Sequence, residues 1–174
     1  KNSVVVEVGC GNGKNLDLPK RRDLYMMACD FTPHFCEITQ QKGFDTQIAN
    51  NLALPYRSNS VDHLLSIAVI HHLSTAERRI LAIQEMLRVL RPGGTLLIQV
   101  WAKEQPKKSR NTFTTSDNLV SWQNSAKTIL EHRFYHVFSE NELETLLSTF
   151  QDSIKVIKSF YEVGNWVMII EKNS

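Results

Sequence analysis

An apolar run that stops at a cluster of glycines is the feature that most constrains this chain. Val4–Val8 is rich in β-branched residues and is followed directly by Gly9–Gly13, in which every second residue is glycine. A short apolar run bounded by glycines predicts a buried strand and then a tight turn. In sheets of parallel strands, ligands bind at the carboxyl ends of the strands. We therefore expect a ligand-binding turn near the start of the chain.

Strand and helix patterns then alternate as far as residue 101. Thr32 before Pro33 is typical of a helix start, and this helix is expected to end near Gly43. Ser74-x-x-Glu77 has the form of a capping box, and apolar residues at helical spacing follow it. This alternation predicts parallel βαβ units. The further strands are predicted at Leu24–Cys29, Thr46–Ala49, Val61–Val69 and Thr95–Trp101.

The last third of the chain has a different pattern. Ser139-x-x-Glu142 predicts a helix that reaches about Phe150. Two strand patterns follow, Ile154–Glu162 and Asn165–Lys172, and only two residues separate them. So short a connection requires antiparallel strands. The prediction is one α/β domain over residues 1–174, with a mostly parallel seven-stranded sheet and an antiparallel last strand.

One long stretch has no regular period. Ala102–Glu131 is polar and rich in Lys, Ser, Thr and Asn. An irregular stretch of about 30 residues is unusual inside a compact domain. We expect either a functional loop or the place of an insertion that this sequence lacks. The chain also begins at Lys1 directly before a strand, so we expect its natural N-terminal helix to lie upstream.

Composition limits the class of protein and its location. The net charge of +2 neither requires nor excludes a nucleic-acid partner. No apolar run approaches the roughly 20 residues that span a bilayer, so no membrane association is expected. Cys10, Cys29 and Cys36 are odd in number and form no Cys-x-x-Cys pair, which favours buried thiols and a reducing, cytoplasmic location. No metal is expected, because no set of zinc ligands at tight spacing is visible.

The spacing of the glycines argues against two phosphate sites. A dinucleotide site has the pattern G-x-G-x-x-G, whereas Lys14 occupies the position of the third glycine here. No G-K-[ST] follows, so a P-loop is absent. Asp30 closes the second strand, where a carboxylate can accept both hydroxyls of a ribose. Asn50 and Asn51 follow the third strand and can contact an adenine ring through amide and backbone groups.

Together these residues resemble the class I S-adenosylmethionine-dependent methyltransferases. The resemblance rests on Glu7–Lys14, Asp30, Ser60–Val69 and Leu90–Ile98. It implies a Rossmann-like fold and S-adenosylmethionine as the cofactor. The sequence departs from the family at Asn50, where the family usually has Asp. The cofactor-binding residues that the resemblance implies are Glu7, Gly9, Gly11, Asn12, Gly13, Asp30, Phe31, Asn50, Asn51, Leu52, Ile67 and Ala68.

A second resemblance concerns the substrate. The stretch Ser66–His72 lacks the Asn/Asp-Pro-Pro-aromatic pattern of amino-group methyltransferases, and no Pro-Cys dipeptide is present for C5-cytosine methylation. With Val100–Gln105, Arg133–His136 and Gly164–Trp166, it is similar to the tRNA methyltransferase 9 family. Asn51-Leu52, Ser74-Thr75 and Glu85-Met86 resemble most the metazoan branch called probable tRNA methyltransferase 9B. The resemblance implies transfer of a methyl group to the carboxylate of 5-carboxymethyluridine at the wobble position of tRNA.

This chemistry assigns candidate roles to six residues. A carboxylate nucleophile is already ionised at pH 7 and needs placement rather than a general base. An Arg side chain can hold the anion, His side chains can donate hydrogen bonds, and aromatic rings can stack on uracil. Structural roles stay open, because the His pair can pack at a strand end and Trp101 can belong to the core. The candidates are Arg133, His136, His71, His72, Trp101 and Tyr135.

The partners and the alternatives follow from the same resemblance. We expect tRNA as substrate, with backbone phosphates near the basic run Lys103–Arg110. The family implies a small zinc-binding activator subunit on the edge of the third strand, at residues 45–49. Two alternatives stay open: a small-molecule methyltransferase of the same fold, and a non-catalytic regulatory domain, for which Asn50 is the hint. An NAD(P) oxidoreductase ranks last because the glycine spacing is wrong.

Overall fold

The computed structural model describes residues 2–16, 23–109, 111–123 and 129–174. Within them the chain forms an α/β fold of nine strands and three α-helices, with a short 3₁₀ helix before the second α-helix. The elements are β1 Ser3–Val8, β2 Leu24–Asp30, α1 Pro33–Gln41, β3 Asp45–Ile48, β4 Val61–Ile67, the 3₁₀ helix Ile70–His72, α2 Ala76–Val89, β5 Leu90–Trp101, β6 Asp117–Gln123, β7 Ile129–His136, α3 Glu142–Ser148, β8 Ile154–Glu162 and β9 Asn165–Lys172.

Seven of the strands form one sheet in the order β3-β2-β1-β4-β5-β9-β8. The five strands from β3 to β5 are parallel, whereas β9 is antiparallel to both of its neighbours. The predicted mostly parallel sheet with an antiparallel last strand is therefore confirmed. The strand order reverses between β1 and β4, and in open α/β sheets ligands bind at such a reversal.

The core forms where the helices cover this sheet. Ile83, Met86 and Leu87 of α2 are buried at the predicted helical spacing, and they belong to one apolar cluster with Leu143 and Leu147 of α3. The helix start differs by one residue from the prediction: Thr75, not Ser74, is the N-cap, and its hydroxyl accepts a hydrogen bond from the backbone of residue 78. Burial of this face fixes α2 against the sheet beside the carboxyl end of β4.

Two further element boundaries differ from the sequence prediction. β5 begins at Leu90, directly after α2, and a bulge opposite Asp62 takes up the turn at Pro92–Gly94. α3 begins only at Glu142, because Asn141 adopts a left-handed conformation; the Glu142 carboxylate still accepts a hydrogen bond from the backbone N–H of Ser139. The turn conformation that begins within the glycine turn continues over residues 11–16. Residues 17–22 lie outside the described residues.

The largest difference concerns the stretch expected to be irregular. Part of Ala102–Glu131 is strand β6, which pairs antiparallel with β7 to form a separate two-stranded sheet. This hairpin joins the domain where Phe138 donates a backbone hydrogen bond to Trp101 and accepts one from Lys103. A mainly polar two-stranded ribbon has no apolar period, which explains why its strands were missed.

Two other findings concern the described residues. The three cysteines are buried free thiols. Among the residues that the structure describes, no helix combines the length and hydrophobicity needed to cross a bilayer.

Candidate active site

A cleft of about 540 Å³ lies at the carboxyl ends of β1 to β4, beside the reversal of the strand order. Two groups of residues form most of its wall. The first, the strand-end half, follows β1, β2 and β3 and consists of Gly9, Gly11, Asp30, Phe31, Asn50 and Asn51. The second, the hairpin half, comes from the region after β4 and from β7, and consists of His72, Leu73, Arg78, Arg133 and Phe134.

The glycine turn brings backbone rather than side chains to the cleft. Gly9 and Gly11 both have positive φ, at 73° and 52°, a conformation that favours glycine. A Cβ on Gly9 would lie 2.6 Å from the side chain of Val69, whereas a Cβ on Gly11 would meet no atom within 4 Å. Because Gly11 also lines the cleft, the space beside it is open to a ligand. The turn therefore permits a close approach to the backbone.

Asp30 is held with its carboxylate in the cleft. One oxygen accepts a hydrogen bond from the backbone N–H of Gly11 and the other from that of Thr32, both at 2.8 Å. Each carboxylate oxygen has a further lone pair. The side chain is therefore fixed in place and can still accept hydrogen bonds from two neighbouring hydroxyl groups, as the ribose prediction requires.

The end of β3 supplies the other side of this half. The side-chain oxygen of Asn50 accepts a hydrogen bond from the backbone N–H of Leu52 at 3.0 Å, which fixes the loop. Phe31, after β2, is 74% exposed and lines the cleft. An exposed aromatic ring beside polar amides suits a flat heteroaromatic ring such as adenine.

Five predicted cofactor residues do not line the cleft. Asn12, Gly13, Leu52 and Ile67 are not part of its lining; Gly13 instead packs closely against α1, since a Cβ on it would lie 2.7 Å from Thr39. Ala68, in contrast, lines the cleft and has φ of 60°, an uncommon conformation for a residue with a side chain. Leu52 packs against the core instead.

Glu7, the fifth, lies behind the glycine turn. It is 1% exposed, and Asn15 donates a hydrogen bond of 2.7 Å to one carboxylate oxygen. The other oxygen is buried and has no hydrogen-bond partner among the described residues. Burial, with a smaller contribution from Asp30, raises the pKa of Glu7 to about 7 although the Asn15 hydrogen bond opposes it. Glu7 is therefore a buried acid that titrates near neutral pH.

The hairpin half contains two predicted residues and three that sequence reasoning did not assign. His72 and Arg133 line the cleft as expected, and Leu73, Arg78 and Phe134 join them. Nδ1 of His72 lies 3.1 Å from the carbonyl oxygen of Phe134, so this nitrogen is the donor. Burial lowers the pKa of His72, and the charge of Arg133 adds to this, although the hydrogen bond to Phe134 opposes it. His72 is therefore neutral at neutral pH, and the guanidinium groups carry the positive charge of this half.

Three predicted catalytic residues pack against one another instead of lining the cleft. The rings of Trp101 and Tyr135 stack with centroids 4.5 Å apart, and His71 contacts both. His71 is fully buried, its Nδ1 accepts the backbone N–H of Trp101 at 3.1 Å, and burial lowers its pKa well below the usual value. The two aromatic rings stack on each other, and neither of them lines the cleft in which uracil would bind. The cluster supports His72, whose ring contacts Tyr135.

His136 also lies outside the cleft wall. Its Nδ1 is 2.6 Å from a carboxylate oxygen of Asp117 on β6, and its Nε2 is 2.5 Å from one of Glu142 on α3. Both ring nitrogens are therefore occupied, which corrects the expectation of a donor to substrate. The His136 side chain therefore connects the hairpin to α3. His136 lies three residues after Arg133 in the chain.

The cleft as a whole meets the requirements of the predicted cofactor. The strand-end half offers a fixed carboxylate, an exposed aromatic ring and backbone without Cβ atoms, which suit a nucleoside with an amino-acid tail. Cys29, the one cysteine in the cleft wall, is not a nucleophile, because burial raises the pKa of its thiol to about 11. The described residues contain no group of three side chains that could hold a metal ion.

Comparison with known proteins identifies the class. The sequence profile of the methyltransferase domain family matches residues 6–98, more than half of the chain. A solved structure of a SAM-dependent methyltransferase from Methanosarcina mazei superposes with a TM-score of 0.75 at 18% identity, covering 99% of this chain and 93% of that one. A methyltransferase in complex with the Trm112 activator, from Haloferax volcanii, gives 0.71 at 16% identity over 100% and 84%. The fold and the cleft define a methyltransferase domain.

Relatives in sequence narrow this class. The tRNA (carboxymethyluridine(34)-5-O)-methyltransferase of Schizosaccharomyces pombe is 37% identical over 98% of this chain and 82% of its own length. The mouse protein called probable tRNA methyltransferase 9B is 46% identical over 69% of this chain and 26% of its own. The chain belongs to the family of these carboxymethyluridine tRNA methyltransferases, as the sequence resemblance predicted.

The chain does not match every relative over its full length. It is 35% identical to the Xenopus tropicalis tRNA (carboxymethyluridine(34)-5-O)-methyltransferase alkbh8 over 99% of this chain, but it spans only 36% of that protein. The chain therefore shares one domain with that longer protein.

Proposed function

We propose that this chain binds S-adenosylmethionine in the strand-end half and methylates the carboxylate of 5-carboxymethyluridine at position 34 of tRNA. The observation that carries the proposal is Arg133, which lines the same cleft as Asp30 and the glycine turn. An anion-binding guanidinium thus lies in one cleft with a site suited to the cofactor. Relatives named for this reaction cover nearly the whole chain.

The residues match the requirements of the reaction. When bound, S-adenosylmethionine supplies an electrophilic methyl group on a sulfonium centre. A carboxylate oxygen forms the new bond to this methyl group as the bond to sulfur breaks, so no proton moves and no general base is needed. The chain's part is to bind and orient the carboxylate, which is catalysis by proximity. Arg133 suits this task because guanidinium and carboxylate pair through two parallel hydrogen bonds.

The surroundings of Arg133 favour orientation over proton transfer. Its Nε donates to the Glu131 carboxylate on the same face of β7, which directs the guanidinium. His72 is neutral, and its Nδ1 already donates to the carbonyl of Phe134. His72 therefore adds no positive charge of its own, and Arg133 is the group of this pair that can bind the substrate carboxylate.

The direct test is ester formation on tRNA. Purified chain, S-adenosylmethionine and tRNA carrying 5-carboxymethyluridine 34 should give the methyl ester, detected by mass spectrometry of the nucleosides. Arg133→Ala should abolish esterification while cofactor affinity stays within twofold. Arg133→Lys should restore part of the rate, because lysine keeps the charge without the bidentate geometry.

The controls separate the alternatives. tRNA with unmodified uridine 34 should give no product, since it offers no carboxylate. Turnover of a free carboxylate metabolite without tRNA would favour a small-molecule methyltransferase. Tight cofactor binding without any ester, in the presence of the activator subunit, would favour a regulatory domain.

An activator subunit is the second part of the proposal. The Haloferax neighbour is in complex with the Trm112 activator, and here β3 is an edge strand whose Ile48 is 61% exposed. An unpaired strand edge can accept a strand from a partner. We propose that residues 45–49 bind such a subunit. Ile48→Lys should weaken co-purification with the activator, whereas Ile157→Lys on β8, the other edge of the sheet, should not.

The cytoplasmic location stays a prediction.

A further inference from the structure

Arg78 is a charged residue of the cleft wall to which the proposed reaction gives no role. It lies in the first turn of α2, is exposed, and lines the hairpin half beside Leu73. Its backbone N–H donates to the hydroxyl of Thr75, which fixes the start of the helix. No carboxylate or carbonyl among the described residues accepts a hydrogen bond from its guanidinium.

The other arginines of α2 show what a structural role would look like. Arg79 is buried, donates to the carbonyl of Leu73 at 2.8 Å and lies over the ring of Phe138. Arg88 pairs with Glu85 and donates to carbonyls of the loop before β4. With the described residues Arg78 makes no comparable side-chain contact, although the helix fixes its position at the cleft.

The charges of the cleft wall define what Arg78 could bind. Among the described residues of that wall, Asp30 is the acidic one, and it belongs to the strand-end half, where each of its oxygens accepts a backbone N–H. Arg78 and Arg133 are the charged residues of the hairpin half, since His72 is neutral. Two guanidinium groups on two different elements suit a ligand with two separate anionic groups.

We propose that Arg78 binds a backbone phosphate of the tRNA next to the nucleotide whose carboxylate Arg133 holds. This assignment rests on the proposed function, in which the modified base enters the cleft. The sugar–phosphate backbone then stays at the surface, where the exposed Arg78 lies, whereas the half-buried Arg133 suits the group on the base. A phosphate contact adds affinity without reading sequence.

The test is the salt dependence of RNA binding. Fluorescence anisotropy with an anticodon stem-loop, carrying either uridine or 5-carboxymethyluridine at position 34, gives the association constant over a range of salt concentrations. Arg78→Ala should reduce the slope of log K against log salt by about 0.7, the value for one phosphate on a single strand. Arg78→Lys should retain the slope, since a point charge suffices for a phosphate. Arg57→Ala, in the loop before the amino end of β4, is the matched control and should leave it unchanged.

The two stem-loops distinguish the two arginines. Arg78→Ala should weaken both by the same factor, whereas Arg133→Ala should weaken mainly the carboxylated one. Calorimetry with S-adenosylmethionine should give the same affinity for Arg78→Ala as for the unaltered chain. An unchanged slope, a loss confined to the carboxylated stem-loop, a loss of cofactor affinity, or no salt-dependent binding by the unaltered chain would each overturn the assignment.

Failure of the proposed function gives a different result. If the unaltered chain forms no ester but Arg78→Ala still lowers the slope, the phosphate contact stands and the reaction does not. If ester forms and Arg78→Ala binds both stem-loops normally, the reaction stands and the phosphate contact does not.

Discussion

In the strand-end half of the cleft, every named residue lies at the carboxyl end of β1, β2 or β3 or within three residues of it. In the hairpin half, His72 and Phe134 meet across 62 residues of chain, and both guanidinium groups are held by elements outside the main sheet. The first half depends on local backbone geometry, and the second depends on how a separate hairpin docks. Cofactor binding and substrate binding should therefore respond to different substitutions.

Asp30→Ala should have the largest effect, and that effect should fall on cofactor binding. Two hydrogen bonds to an ionised acceptor contribute about 1.5–3 kcal/mol each, so affinity for S-adenosylmethionine should fall by about 100-fold or more. Isothermal calorimetry measures this change. Asp45→Ala, which removes an exposed carboxylate of β3 that accepts a hydrogen bond from Tyr25, is the control. If the variant kept its cofactor affinity within threefold, the strand-end half would not be the cofactor site.

Glu7→Gln tests the buried acid behind the same half. Because the folded-state pKa is raised from 4.5 to about 7, ionisation destabilises the fold, and stability that is present below pH 4.5 is lost as the pH rises through 7. The neutral variant should exceed the parent by about 3 kcal/mol at pH 8 and by much less at pH 5. Urea unfolding at both values measures the difference. An equal change at both would contradict titration of Glu7, and the exposed Glu37→Gln should show none.

His136→Gln tests the docking of the hairpin. Glutamine can keep one of the two carboxylate contacts, so we expect a loss of about 2 kcal/mol in unfolding free energy. Hydrogen exchange should increase in β6 and β7, and esterification should fall while cofactor affinity stays the same. His34→Gln, a mainly exposed histidine on α1, serves as the control. A parallel loss of cofactor affinity would show that the two halves are not separable.

Gly11→Ala and Gly43→Ala form a matched pair with the smallest expected effects. Both glycines have positive φ and open space where a Cβ would lie, but only Gly11 lines the cleft. Each should lose about 1 kcal/mol of stability from the left-handed backbone. Only Gly11→Ala should also lose cofactor affinity, by about tenfold. Equal cofactor affinities for the two variants would show that the cofactor does not contact this turn.

Much of the fold could be read from the sequence, because its signals are local. β1 to β5 and β8 to β9 lie within a few residues of their predicted positions, since apolar runs bounded by Gly, Pro and Asn define them. β6 escaped prediction because its neighbours in sequence are polar. The orientation of Trp101 and Tyr135 also escaped it, because one residue of strand register decides whether a ring faces a cleft or another ring.

The sequence by itself determined the strand-end half of this protein. β1 is followed directly by the glycine turn and β2 ends at Asp30, so the positions of both follow once the parallel sheet forms. Only the tertiary structure decided the hairpin half. The pairing of β6 with β7, and the two carboxylates around His136, place Arg133 and Phe134 opposite His72 and Arg78. Contacts between distant segments depend on packing and register, which no local pattern encodes.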